Sequence, residues 1–228
     1  MKRTFIYCTI ALALAFALAG CGQSGTYEPK KITKIEPVKL ASGEEAKLFP
    51  LKVGNQWVYS GDTNGIKDEL TIKVSKIVDG ADGQIATLST TNEKGETRDL
   101  DVQVNSRGIF QLTAMTGKAY TPPQPMVIFP LDSEKTEVNF SGPYPAMGEG
   151  PMKQVVKYLG PQEVDTDMGR MSAFAVESFT TWTTDKGAAS AHAMAWWVPG
   201  IGFVRQRQEL VLPGASAVIV MRLKSYTF

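Results

Sequence analysis

The chain has 228 residues, 43% of them hydrophobic and 21% charged, which is enough apolar side chain for one sizeable core and too much for a disordered polymer. Twenty-four basic and 23 acidic residues leave a formal charge of +1, so no electrostatic grip on nucleic acid or anionic lipid is expected from the overall charge. One histidine and two cysteines exclude a zinc site built from several His or Cys ligands.

The first 21 residues read as an address. Lys2 and Arg3 form a short positive region, and Phe5 to Ala19 is an almost unbroken apolar run. At about 15 residues that run is short for a membrane span, which needs roughly 20, and normal for a secretory signal. It ends in Leu18-Ala19-Gly20-Cys21, which resembles the bacterial lipobox: a leucine and two small residues before a cysteine. The resemblance implies diacylglycerol on the Cys21 sulfur, cleavage after Gly20 and acylation of the new amino terminus. Lipid chains anchor through their buried CH₂ groups at about 0.8 kcal/mol each, so two or more hold stably. Loss of residues 1–20 removes Lys2, Arg3 and Cys8 and leaves 22 basic side chains against 23 acidic, a net charge of −1. Cys21 is then the one remaining cysteine, so the folded part is expected to stand without disulfides. Gly22 is not the aspartate that resembles an inner-membrane retention signal in enteric bacteria. The expected location is therefore the cell envelope: the periplasmic side of the outer membrane in a two-membrane host, otherwise the outer face of the plasma membrane. Gly20 to Gly25 also spells G-x-G-x-x-G, but without a strand–turn–helix context it is no dinucleotide site.

Residues 21–43 comprise the lipidated cysteine and a tether of Gly, Ser, Pro29, Pro37 and mixed charge, with a typical span of roughly 25 Å for a random coil. Ser42-Gly43-Glu44-Glu45 fits a capping box and predicts a short helical turn before Pro50. Residues 44–228 then read as a single β-rich domain. Period-two runs recur at Leu70, Ile72 and Val74, at Leu100, Val102 and Val104, at Phe174 and Val176, at Met194, Trp196 and Val198, and at Ile219, Met221 and Leu223. Between the runs stand Asn64-Gly65, Asp79-Gly80, Asp82-Gly83, Lys94-Gly95, Asp167-Met168-Gly169, Lys186-Gly187 and Pro213-Gly214, which predict hairpins. Ala193, Ala195 and Trp197 make the face opposite Met194, Trp196 and Val198 apolar as well. Strands of that kind need cover on both sides, so the fold class predicted is mainly β: an antiparallel, strongly curved sheet, either an open barrel or a sandwich.

Residues 114–152 differ, with seven of the chain's 13 prolines together with Met115, Met126, Met147 and Met152. Prolines this dense are excluded from a central strand. The segment is expected to be a long excursion, lid or connector, with one short strand at Met126 to Phe129.

Two blocks carry a second resemblance. Phe49-Pro50-Leu51-Lys52-Val53-Gly54-Asn55-Gln56-Trp57-Val58-Tyr59 opens the domain, and Trp196-Trp197-Val198-Pro199-Gly200-Ile201-Gly202-Phe203-Val204 stands near its end. With the strand–turn–strand at Val164 to Phe174, they resemble a group of β-rich bacterial envelope lipoproteins to which no activity is attached. In that group F-P-L-x-x-G-x-x-W-x-Y begins the domain and W-x-x-x-G-x-G-x-V comes near its end. A looser analogy, by class alone, is the open β-barrel of periplasmic lipoprotein carriers, whose concave face holds acyl chains.

Chemistry-bearing patterns are few. His192 has no G-x-S-x-G elbow to serve and reads as a hydrogen-bonded, partly buried strand residue. No S-x-x-K and no G-x-x-x-x-G-K-[ST] occurs. Asp165-Thr166-Asp167 with Gly169 falls short of an EF-hand, whose twelfth position would here be Val176, and reads as a hairpin turn. Arg205 and Arg207, with Arg222 and Lys224 on the next strand, are expected to share a solvated face. The expectation for function is a membrane-anchored, non-enzymatic envelope lipoprotein without metal or cofactor, binding an apolar ligand or an envelope partner. Trp57, Trp196, Met126 and Met147 are the candidate ligand residues, although both tryptophans also read as core. The alternatives are a hydrolase whose carboxylates converge from distant positions, and a structural subunit of an envelope complex.

Overall fold

The computed structural model describes residues 45–131, 137–144 and 151–228. Cys21 and Met147 lie outside the described residues, as do residues 42–44 of the expected capping box. Chain entry is a single 3-10 turn, Glu45–Leu48. Twelve strands follow: β1 (Gln56–Thr63), β2 (Ile66–Gly80), β3 (Gly83–Asn92), β4 (Thr97–Asn105), β5 (Gly108–Thr113), β6 (Ala119–Ile128), β7 (Glu137–Pro143), β8 (Pro151–Thr166), β9 (Gly169–Thr184), β10 (Gly187–Val198), β11 (Gly202–Leu212) and β12 (Ala215–Thr227).

They form one antiparallel sheet in the order β6-β5-β4-β3-β2-β1-β12-β11-β10-β9-β8-β7. Neighbours in sequence are neighbours in space, apart from β1 and β12, whose pairing joins the two chain ends in the middle of the sheet. Every turn signal read from the sequence marks a hairpin. Asn64 and Gly65, for example, take φ of 51° and 86°, the left-handed pair that a two-residue turn between right-twisted strands requires. The sheet curls into a nearly closed barrel. At the seam, β6 and β7 come together without pairing: a Cβ on Gly142 of β7 would lie 3.4 Å from Pro122 Cδ and from the Thr121 carbonyl on β6.

The prolines explain the seam. Pro122, Pro123 and Pro125 have no N–H to donate, so β6 pairs with β5 on one side and offers little to a partner on the other. Within residues 114–152, Ala119–Ile128 is thus a ten-residue edge strand, longer than the Met126 to Phe129 strand expected, and β7 is the opposite edge. Prolines excluded from a central strand are tolerated at an edge.

Inside the barrel the side chains form three layers. At the end where the chain enters, Phe49, Trp57, Tyr59, Trp197 and Phe203 close an aromatic plug, with ring centroids 5.3 Å apart for Phe49–Trp57 and for Tyr59–Phe203. Trp57 Nε1 donates to the Ile201 carbonyl at 2.6 Å and the Tyr59 hydroxyl to the Phe203 carbonyl at 2.9 Å. The two sequence blocks therefore meet across 144 residues of chain, and Gly202 is where they touch: a Cβ there would lie 2.9 Å from Phe49 Cδ2. At the opposite end Tyr120, Tyr144, Met152, Trp182, Leu210 and Leu212 form a second apolar cluster. Between the two lie Gln111, Gln124, Gln154, Gln206, Gln208 and Thr180, all buried and mostly amide.

The cover predicted for the outer face of β10 comes from the chain itself. A bulge at Tyr158/Gly160, with Gly160 at φ 90°, bends the distal β8–β9 hairpin across the face that points away from the barrel axis. Asp167 N donates to the Leu223 carbonyl at 3.0 Å, which carries the tip past β10 and β11 to β12.

Candidate functional site

The polar layer surrounds a cavity of about 30 Å³, room for roughly two water-sized groups. Gln124, Pro125 and Met126 of the edge strand β6 form one wall, and Gln154, Trp197 and Gln206 face them from β8, β10 and β11. The opposite floor is made small by Ser178, Ala193 and Ala195. Register explains the convergence. Gln206 opposes Ala195 and Gln208 opposes Ala193, so long amides on β11 lie over short side chains on β10. Trp197 follows Ala193 and Ala195 on the inward face by strand alternation and Trp196 faces outward, while the bulge opposite them, at Val204 of β11, brings both Phe203 and Gln206 to the cavity.

The cavity is uncharged: no Asp, Glu, Lys, Arg or His lines it. Gln124 Nε2 donates to Gln154 Oε1 at 3.4 Å, and Gln206 Nε2 to Gln208 Oε1 at 3.2 Å. Two polar atoms of the lining residues have no protein partner, Gln124 Oε1 and Trp197 Nε1. Both are buried, and a buried amide or indole N–H without a hydrogen bond costs about 1–3 kcal/mol. The pair supplies one acceptor and one donor, the complement of a hydroxyl or an amide. Gln111 Oε1, Thr90 Oγ1 and Thr180 Oγ1 are likewise buried and unpartnered in the same layer.

The four ligand candidates read from the sequence are not brought together. Met126 lines the cavity. Trp57 is in the plug. Trp196 is buried on the outer face beneath the β8–β9 hairpin, with Nε1 donating to Gln162 Oε1 at 3.0 Å and the Arg205 guanidinium 5.5 Å from its ring centroid. Met147 lies outside the described residues. Trp197 and the glutamines went unselected, although a signal was present. Gln206 and Gln208 share a strand face with Leu210 and Leu212, and Gln154 alternates with Met152 and Val156.

Titratable groups lie elsewhere. His192 Nε2 is 2.7 Å from Glu177 Oε1 on the half-exposed outer wall. Glu93, on an exposed turn, has its carboxyl pKa raised by the hydrogen bond it donates to the Asp68 carboxylate and by that neighbour's charge. Tyr59 is pushed well above the ordinary phenol value by burial in the plug. Arg205, expected on a solvated face, is instead buried, with Nη1 donating to the Asp165 carbonyl at 3.2 Å. Lys224 pairs with Glu69 at 2.5 Å, and Arg207 pairs with Glu209. Among the described residues no group of three His, Cys, Asp or Glu is placed to hold a metal. A second, open concavity of about 530 Å³ lies on the outer wall between Pro151, Phe179, Ser190 and Val211.

No family model matches the chain, and no curated protein matches it in sequence. Solved structures do resemble it. A protein described as a lipoprotein from Parabacteroides distasonis superimposes with a TM-score of 0.51 at 14% identity, covering 79% of this chain and 98% of its own. An exported protein with a YmcC-like fold from Bacteroides fragilis gives 0.50 at 14% identity over the same shares. The hypothetical lipoprotein YmcC from Escherichia coli is more distant, at 0.42 and 9%. At these identities the likeness is one of fold: this curled antiparallel sheet is shared with proteins described as lipoproteins or as exported.

Proposed function

We propose that the protein is a lipid-anchored component of the bacterial envelope and that its barrel is a non-enzymatic binding module. The ligand it takes is small and uncharged, with an apolar body and one hydroxyl or amide. The observation that carries this reading is the cavity itself, which sets a buried acceptor and a buried donor without protein partners in an uncharged wall of amides, aromatic rings and small side chains. Acid–base catalysis needs titratable groups within hydrogen-bond reach of a substrate, and amides, an indole and methyl groups are what this lining offers. As drawn, the cavity fits little more than the polar head. Entry of the body requires movement of Met126, an unbranched side chain that repacks readily, on an edge strand paired on one side. The fold shared with proteins described as lipoproteins or exported, together with the leader resembling a lipobox, supports the envelope location.

Native mass spectrometry of the protein extracted from its own host tests the reading. The expected result is a non-covalent adduct that is lost in Gln124→Leu and in Trp197→Phe, both of which remove an unpartnered polar atom while keeping shape. An adduct-free protein, or one whose adduct survives both substitutions, would contradict it.

A further inference from the structure

Among the described residues nine large apolar side chains are exposed, and four of them gather toward one end. Val53, Met168, Tyr226 and Phe228 lie toward the plug end of the barrel, from three separate stretches of chain. Val53 is 57% exposed on the loop before β1, where the neighbouring Gly54 N is tied to the Val74 carbonyl at 2.9 Å. Phe228 is 50% exposed and sits edge-on to Trp57 at 5.8 Å, with Tyr226 at 4.8 Å from it. Met168 is at the tip of the β8–β9 hairpin, beside the Asp167–Leu223 backbone bond. Lys47, Lys52 and Lys73 are exposed around the same end. Each apolar group is therefore fixed by the plug or by a backbone bond while its own surface is left in solvent, and the side chains of aromatic and basic type are those that settle at a bilayer interface.

The described chain also begins at this end, because the Lys47 carbonyl accepts from Gly200 N at 2.8 Å. From Cys21 to Glu45 is 24 residues, which reach at most about 80–86 Å when fully extended, and linkage of that kind holds the nearest surface at high effective concentration. We infer that the plug end is a membrane-contact surface: Val53, Met168, Tyr226 and Phe228 rest in the headgroup region of the bilayer that holds the anchor, with the lysines over anionic lipid. This rests on the lipid-anchor reading above. It orients the barrel axis toward the membrane and leaves the outer wall and the far end free.

Lipidated protein reconstituted into vesicles of phosphatidylethanolamine and phosphatidylglycerol tests the inference. With Cys8 removed by processing and Cys21 acylated, a single introduced thiol takes an environment-sensitive fluorophore. Labels at Val53→Cys and Phe228→Cys should shift to the blue and be quenched at least threefold more by brominated acyl chains than a label at Val211→Cys on the outer wall, a site equally exposed. Val53 and Val211 stand clear of the core and Phe228 meets it only at the edge of Trp57, so a thermal melt of each labelled protein first checks that the fold is kept. Vesicle flotation with equal quenching at the three sites would overturn the contact surface while sparing the anchor. A blue shift at 53 and 228 without bromine quenching would mean a protein cover and would overturn it too. Protein that fails to float would overturn the anchor reading, and the surface with it.

Discussion

Trp57→Ala is the substitution whose cost follows most directly from the structure. The indole is fully buried, packs 5.3 Å from Phe49 and 5.8 Å from Phe228, and donates to the Ile201 carbonyl. Emptying a large aromatic site costs about 3–5 kcal/mol, through lost transfer energy and the cavity left behind. Phe49, Trp197 and Phe203 brace one another through contacts at 5.6 Å, so collapse into that cavity is limited and the upper half of the range applies. Each kcal/mol moves Tm by about 2–4 °C in a domain of this size, so a loss of 4 kcal/mol predicts a fall of about 8–16 °C. The intended comparison is Trp57→Phe, which keeps most of the ring volume and loses mainly the hydrogen bond, at about 1 kcal/mol. Thermal melts followed by near-ultraviolet circular dichroism distinguish them. A shift under about 2 °C for Trp57→Ala would refute the plug as a structural element and move Trp57 to a ligand-facing role.

Gly202→Ala should lower Tm by about 4–12 °C, because φ of 97° strains any L side chain and the new methyl would press on Phe49. Gly214→Ala, at φ 79° in open space, should cost less than half as much in the same melts. Alkaline stability should fall as pH rises above about 10. Burial raises the folded pKa of Tyr158 to about 12 and that of Tyr59 well above the ordinary phenol value, so both states are neutral below the unfolded value, and above it the unfolded chain ionises first. Urea melts of Tyr158→Phe should show a shallower decline between pH 10 and 12 than the parent. Glu177→Gln should move Tm by less than about 2 °C, since its pair with His192 is solvent-screened, and a large shift would mark that pair as structurally important.

The strands and hairpins were legible because period-two alternation and turn residues act locally. Asn64-Gly65 and Pro213-Gly214 declare their turns without reference to the rest of the chain. Closure of the sheet was not legible. It depends on β12 returning to β1 and on prolines in β6 standing at an edge, and both are facts of long-range topology. That Trp197 rather than Trp196 lines the cavity was hidden for a similar reason. Two adjacent tryptophans face opposite ways on a strand, and the direction in which the sheet curls, rather than composition, decides which face is inward. The glutamine layer was written in the sequence as polar residues on otherwise apolar strand faces. Its meaning emerged only when five strands carried those faces to one level of the barrel.

The central claim, an envelope protein held by lipid on Cys21, is tested most directly at the amino terminus. Mass spectrometry of the terminal peptide from protein extracted out of host membranes should find a chain that begins at Cys21 and carries diacylglycerol and a further acyl group. Cys21→Ser should leave the protein out of the membrane fraction after a high-salt wash. A chain that begins at Met1, or an unmodified Cys21 in membrane-bound protein, would contradict the account.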